Sequence, residues 1–415
     1  MNDAVTEEWG QRLRRCIGDA ELRRLSPGLE ITCAFVIGDT ALTFAISEGS
    51  LNLSPTRCYA PSPQLTVRAT PAAWERCLEN PPPPAHHAFT AWELANPEFE
   101  LEGDAALRAQ ARAALERIVE IALRPSDARP SAPFLPQEPG QITGKVKRIV
   151  GPDGDMEIYF ESAGEGTPLV MLHTAGADSR QFRAQLADPE LASRFRMIAP
   201  DLPFHGRSMP PYGWDGGPYK LDGRTCLAWC KALLSGLAGA PAVVMGGSMG
   251  AAITLRLAVD APEMLLGAIA LEPPYRASGR ISPWQMHVAV HGGLHNGAFV
   301  RGLMSPTAPE ARRRAAAWIY SQGAPGIYPG DLAFYSEEFD GDATARQIDA
   351  RSLPVALLSG AYDYSATPSD GARLAELMPG AFHLRMENLG HFPMCEDPAT
   401  FRPYLMRALS FVIPK

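Results

Sequence analysis

Five consecutive residues constrain this chain more than any others: Gly246-Gly247-Ser248-Met249-Gly250. A G-x-S-x-G pattern is weak evidence alone in a chain with 37 glycines, so its flanks decide what it means. Ala242-Val243-Val244-Met245 before it reads as a short buried strand, and Ala251-Ala252-Ile253-Thr254-Leu255 after it reads as a helix. A serine at such a strand-to-helix junction needs small neighbours where the backbone turns sharply. The strained turn then holds the hydroxyl out above a sheet.

The surrounding pattern supplies that sheet. From residue 144 onward, apolar runs alternate with helix-like segments, the signature of a mostly parallel sheet covered on both faces. Eight strands are expected: Lys145 to Val150, Met156 to Glu161, Leu169 to His173, Arg196 to Pro200, Ala242 to Gly246, Ala268 to Glu272, Val355 to Ser359 and Phe382 to Glu387. Between Pro273 and Ala350 the strand pattern stops and aromatic residues gather, among them Trp284, Trp318, Tyr320, Tyr328, Phe334, Tyr335 and Phe339. An insertion of residues 273–350 between core strands 144–272 and 351–415 would lie over the sheet as a cap.

A boundary precedes this region. Pro125, Pro130, Pro133, Pro136 and Pro139 interrupt a polar stretch, so 124–143 reads as an extended linker. Residues 1–123 before it read as a small α+β domain. Ile31–Ile37 and Leu42–Ile46 flank Gly38-Asp39 as a hairpin, and Leu65–Ala69 is a further strand. Thr70 and Asp104 are helix caps, the second opening a helix with an apolar stripe of Leu107, Ala111, Ala114, Leu115, Ile118 and Ala122.

Composition narrows the function. Hydrophobic residues are 46% and charged residues 20%, with no uninterrupted apolar run of membrane length. A membrane span is not expected. The net charge of -8 carries no basic stripe, so nucleic acid is not an expected partner. The seven cysteines (Cys16, Cys33, Cys58, Cys77, Cys226, Cys230, Cys395) are odd in number and scattered, and Met1 to Glu8 opens no apolar leader. Both features fit a cytoplasmic protein.

A serine hydroxyl needs a positioned base to attack a carbonyl. His391, in Asn388-Leu389-Gly390-His391-Phe392-Pro393, follows the last strand, where loops at the carboxyl ends of a parallel sheet build sites. An acid must orient that imidazole. Asp363, just past the preceding strand, is favoured; Glu272, ending the strand after the elbow helix, is the alternative.

Together with His173-Thr174-Ala175-Gly176 and Asp201-Leu202-Pro203-Phe204-His205-Gly206-Arg207-Ser208, these motifs make residues 144–415 similar to an α/β-hydrolase with a cap. The chain order Ser, Asp, His is that family's order. The resemblance implies an oxyanion hole from the N–H of Met249 and that of Ala175, or else Thr174. Thr174 replaces the glycine usual after that histidine. Residues 10–123 resemble, more loosely, sterol-carrier-protein-2-like lipid-binding domains through their element order and the Phe-Glu-Leu-Glu-Gly-Asp run before the terminal helix. An apolar pocket gathering substrate and a plain packing or dimerisation module both fit, and a homodimer, if formed, would use this domain.

The combined expectation is an acyl-transfer enzyme that cleaves a hydrophobic or bulky ester, with no cofactor. The same machinery serves thioesters, lactones and carbon-carbon bonds. A lipid receptor or carrier without turnover is the reading of another class. An elbow aspartate would have indicated a dehalogenase or epoxide hydrolase, and Ser248 argues against both. His173, Trp284 and His287 are expected to border the substrate. His287, His291 and His295 recur every four residues, but Gly292 and Gly293 weaken a helix there and no further ligand completes a metal set. His205 reads as a turn-stabilising residue.

Overall fold

The computed structural model describes residues 2–53, 62–124, 141–277 and 280–413. Most of the expected linker, and Cys58, lie outside these residues. The chain divides into two compact units, Met1–Ala132 with His287–Thr307, and Pro133–Met286 with Ala308–Lys415. No described helix is long and apolar enough to cross a membrane.

In the first unit, β1 (Ile31–Ile37) and β2 (Thr40–Ser47) form the expected hairpin, with Cys33 opposite Phe44 and Phe35 opposite Leu42. Gly38 takes the left-handed conformation that the tight turn demands, at φ 60°. With β3 (Ser50–Leu53), β4 (Leu65–Ala69) and β5 (Glu100–Gly103) they make a sheet of order β3-β2-β1-β4-β5. Thr70 and Asp104 cap their helices through Ala73 and Leu107 N–H, at 3.2 and 2.8 Å. The interior is filled by Trp9, Phe35, Phe44, Trp74, Trp92 and Phe99, with the Trp9 and Trp74 rings 4.8 Å apart and Trp92 stacked on Phe99 at 4.9 Å. A cavity of about 10 Å³ between Cys33, Phe35, Leu65, Phe89 and Leu115 has room for about one water molecule.

The helix Ala105–Leu123 is buried well beyond its apolar stripe, including Arg112, Glu116, Arg117 and Glu120. Arg117 and Glu120 are answered by opposite charges, whereas burial raises the Glu116 pKa to about 7. Arg117 pairs with Asp19 at 2.8 Å, and Arg301 pairs with Glu120 at 2.5 Å and Glu21 at 2.6 Å. Arg301 belongs to the helix Gly292–Gly302, which the sequence reading put in the cap. Segment 287–307 instead completes the first unit. Arg112 lies over the Phe299 ring at 4.4 Å, and Leu294 and Ala298 pack with Leu25 and Ala113. The helix forms despite its glycines, since the His291 side chain caps it by accepting from Leu294 N–H.

The second unit holds all eight expected strands: β6 (Thr143–Gly151), β7 (Gly154–Ala163), β8 (Thr167–Leu172), β9 (Phe195–Pro200), β10 (Ala242–Gly247), β11 (Leu265–Leu271), β12 (Val355–Gly360) and β13 (Phe382–Met386). Their order is β13-β12-β11-β10-β8-β9-β7-β6, parallel except where β7 meets β6 and β9. This is the α/β-hydrolase fold. β10 is wholly buried between β8 and β11, with Gly246 in register with Leu172 and Ala270. Between β11 and β12 the described residues of this unit form no strand, and their helical segments are Pro283–Met286, Glu310–Tyr320, Ile327–Ala333, Phe334–Glu338 and Gly341–Ala345.

Candidate active site

The site starts at the end of β10. Ser248 has φ 52° and ψ -109°, a strained backbone for a residue with a side chain, and its N–H is held by the Leu271 carbonyl at 2.8 Å. The glycines are dictated by close approach. A β-carbon on Gly246 would lie 2.1 Å from the Gly250 carbonyl oxygen, and one on Gly250 would lie 2.4 Å from that of Leu172. The helix Met249–Asp260 can begin only because both positions are bare.

Above this turn three side chains meet. The Ser248 Oγ is 2.9 Å from His391 Nε2, and His391 Nδ1 is 2.6 Å from Asp363 Oδ2. All three are buried. The other Asp363 oxygen accepts from Ser365 and Ala366 N–H at 2.7 and 3.0 Å, which fixes the carboxylate's orientation. Burial pushes the Asp363 pKa up, but the His391 charge and hydrogen bond outweigh it, and the carboxyl lies below its ordinary range.

Glu272, the other candidate acid, is in the same cluster but one step back. It follows β11 at φ 51°, takes the Gly360 N–H on both oxygens at 3.0 and 2.8 Å, and is hydrogen-bonded to Asp363. Burial first, then the Asp363 charge, drives its pKa far up. No hydrogen bond or ring contact joins it to His391, so Asp363 is the acid that touches the imidazole. Glu396 was missed by sequence reasoning: its two oxygens take the N–H of Gly390 and of Phe392 at 2.5 and 3.2 Å, gripping the loop on either side of His391.

In the loop after β8 the N–H groups on either side of Ala175 are both spent. Thr174 N–H goes to Gln181 Oε1 at 3.0 Å and Gly176 N–H to Asp331 Oδ2 at 2.7 Å. None of the described groups accepts from Ala175 N–H, which leaves it open, and Met249 N–H is one of the orphan donors of a helix start. Thr174 further bonds Tyr320 through its hydroxyl.

His173 is fully buried and both ring nitrogens serve the backbone, Nδ1 to the Thr174 carbonyl at 2.8 Å and Nε2 from Leu202 N–H at 3.1 Å. Burial, with His205 nearby, lowers its pKa to about 4. The ring therefore shapes the loop and has no nitrogen left for substrate. His205 is more than a turn residue. Its Nε2 meets Asp331 at 2.7 Å, and Asp331 also takes the Tyr219 hydroxyl at 2.7 Å. Burial opposes the charged imidazole, yet Asp331 holds the His205 pKa above its ordinary value. Asp331, on the helix Ile327–Ala333, thus ties the helical insertion to the loop that carries Ala175. A lone acid in the apolar run Gly330-Asp331-Leu332-Ala333-Phe334 was its only sequence signal.

The other expected substrate contacts, Trp284 and His287, fall in different units. Trp284 sits partly buried on the turn Pro283–Met286, and no hydrogen bond or ring contact joins it to Ser248, Asp363 or His391. His287 is exposed and belongs to the first unit. His291 is a helix cap and His295 is buried with Nδ1 3.2 Å from the Ala109 carbonyl, so the three rings do different jobs. Among the described residues no group of three or more His, Cys, Asp or Glu is placed to hold a metal ion.

Comparison with known proteins agrees with this architecture. The chain is 37% identical over 119 residues to the magnesium-chelatase 30 kDa subunit of Rhodobacter capsulatus, covering 28% of this chain and 38% of that protein. It is 27% identical over 263 residues to a pimeloyl-[acyl-carrier protein] methyl ester esterase of Chromobacterium violaceum, covering 59% of this chain and 95% of that one. A thermophilic esterase from Thermogutta terrifontis superposes with a TM-score of 0.53 at 21% identity, covering 64% of this chain and 99% of that one, a likeness of fold. Residues 169–403 match the model of the alpha/beta hydrolase family, which is more than half the chain, and the protein belongs to that family.

Proposed function

We propose that this α/β-hydrolase cleaves the carboxylic ester of a hydrophobic or bulky small molecule through an acyl-enzyme. The observation that carries the reading is the unbroken run from Ser248 through His391 to Asp363, at 2.9 and 2.6 Å, on a strained turn. His391 takes the Ser248 proton as the oxygen attacks the carbonyl, then returns it to the leaving alkoxide. Water repeats the sequence and frees the acid. The developing oxyanion would meet the N–H of Met249 and that of Ala175, preorganised at no cost during reaction. A serine oxygen suits acyl transfer, whereas opening an epoxide through an alkyl-enzyme ester calls for a carboxylate nucleophile.

An apolar substrate is supported by the aromatic groups beside His391. Phe392 packs edge-on to the imidazole at 4.9 Å and to Tyr320 at 5.4 Å, and Tyr320 meets Tyr328 at 6.0 Å. The test is intact-mass labelling with a fluorophosphonate on wild type and Ser248→Ala. One adduct, absent in the variant, is expected, followed by multiple turnover of activated esters. An unlabelled wild type, or one that turns over such esters at most once, would put a receptor or carrier in place of the enzyme.

A further inference from the structure

Beside the triad lie two polar groups that the ester reaction described above does not use. Arg280 is partly buried, and its Nη2 donates to the Ser365 carbonyl. Among the described residues no carboxylate pairs with it. A guanidinium has five N–H donors in a rigid fork, so most of this one is unspent. Its charge reaches two buried phenols, Tyr328 and Tyr335.

Tyr335, on the helical turn Phe334–Glu338, is 2% exposed. Its hydroxyl lies beside the side chains of Ser248 and Ser365, yet makes no hydrogen bond of proper geometry among the described residues. Ser365 links both groups to the chemistry, since its N–H holds Asp363 at 2.7 Å. A buried hydroxyl without a partner and a sheltered cation without a counter-ion each cost desolvation energy. One carboxylate answers both, accepting from the phenol and from the guanidinium fork.

We propose that Arg280 and Tyr335 form a carboxylate subsite next to Ser248, so that the substrate is an ester with an apolar body and one free carboxylate. The proposal rests on the ester-hydrolase reading of Ser248 and names the class of substrate for it. The aromatic groups near His391 take the apolar part, and the Arg280 fork fixes the end that bears the charge.

The experiment compares 4-nitrophenyl hemiesters of dicarboxylic acids, in a series of lengths, with uncharged 4-nitrophenyl esters of matched length. At the best length the wild type is expected to favour the hemiester in kcat/KM by about ten-fold or more, the worth of one charge-assisted contact. Arg280→Met should bring that ratio close to one, Arg280→Lys should keep part of it, and Tyr335→Phe should lower it by about three-fold. A wild-type ratio near one at every length, or a ratio unchanged in Arg280→Met, overturns the subsite. If neither ester is turned over in a Ser248-dependent way, the ester reading fails by itself. Calorimetry of the free hemiester-type acids on Ser248→Ala then decides the subsite separately, with binding that Arg280→Met abolishes supporting it and no binding overturning it.

Discussion

Glu272 and Asp363 are buried and hydrogen-bonded to each other, and their pKa values are driven opposite ways: that of Glu272 far up, that of Asp363 below its ordinary range. Burial raises both, but only Asp363 has the His391 imidazole to offset it. Asp363→Asn is therefore expected to lower kcat by about ten-thousand-fold, as a mis-set imidazole tautomer does. Glu272→Gln, whose amide N–H can still donate to Asp363, should stay within about ten-fold of wild type. Steady-state kinetics on an activated ester checks both, and the reverse ranking would move the acid to Glu272.

The same pair makes stability depend on pH. Glu272 keeps its proton in the folded protein far above the ordinary value of 4.5, while the unfolded chain releases it there. The folded state thus binds the extra proton, and this contribution to stability is full below that value and declines as pH rises above it. Glu272→Gln removes the dependence. Relative to wild type, its unfolding midpoint should improve between about pH 5 and about pH 8, read by thermal or urea denaturation.

Asp331→Asn should strike both stability and rate. It takes the charge from a buried cluster of His205, Tyr219 and Gly176 N–H, and breaking such a pair costs about 3–5 kcal/mol. Because the His205 pKa is raised, its share is present below the ordinary 6.5 and fades as pH climbs through the folded value. The variant's deficit should be larger at about pH 6 than at about pH 9. A rate loss beyond that expected from unfolding would report the loosened Ala175 loop.

Gly250→Ala introduces a β-carbon 2.4 Å from a strand carbonyl that cannot yield. Loss of fluorophosphonate labelling at Ser248 is expected, with destabilisation of about 1–3 kcal/mol or more. Retained labelling at the wild-type rate would show that the turn tolerates what its geometry forbids.

The parts legible in the sequence were those that local chemistry determines. The strands of the second unit, the bare glycines around Ser248 and the loops bearing Asp363 and His391 all declare themselves within a few residues. Asp331 and Arg280 do not, because what they touch lies far along the chain, as with Asp331 and Gly176 or Arg280 and Ser365, and Glu396 and Tyr335 carry no motif that marks them. What the histidine triplet does was not legible for a related reason: equal spacing says nothing about what each ring finds when the helix packs.

The placement of Arg301 limits how the gene for this protein could be dissected. An open reading frame stopped in the proline-rich stretch would encode every strand of the first sheet yet omit the helix Gly292–Gly302, removing Arg301 and leaving Arg117 to face Glu21 and Glu120 alone among the cations paired with both. The complementary frame would carry that helix without its partners. A sequence that looks like a fusion of two modules is interleaved, and moving either unit intact would mean moving two separate pieces of chain.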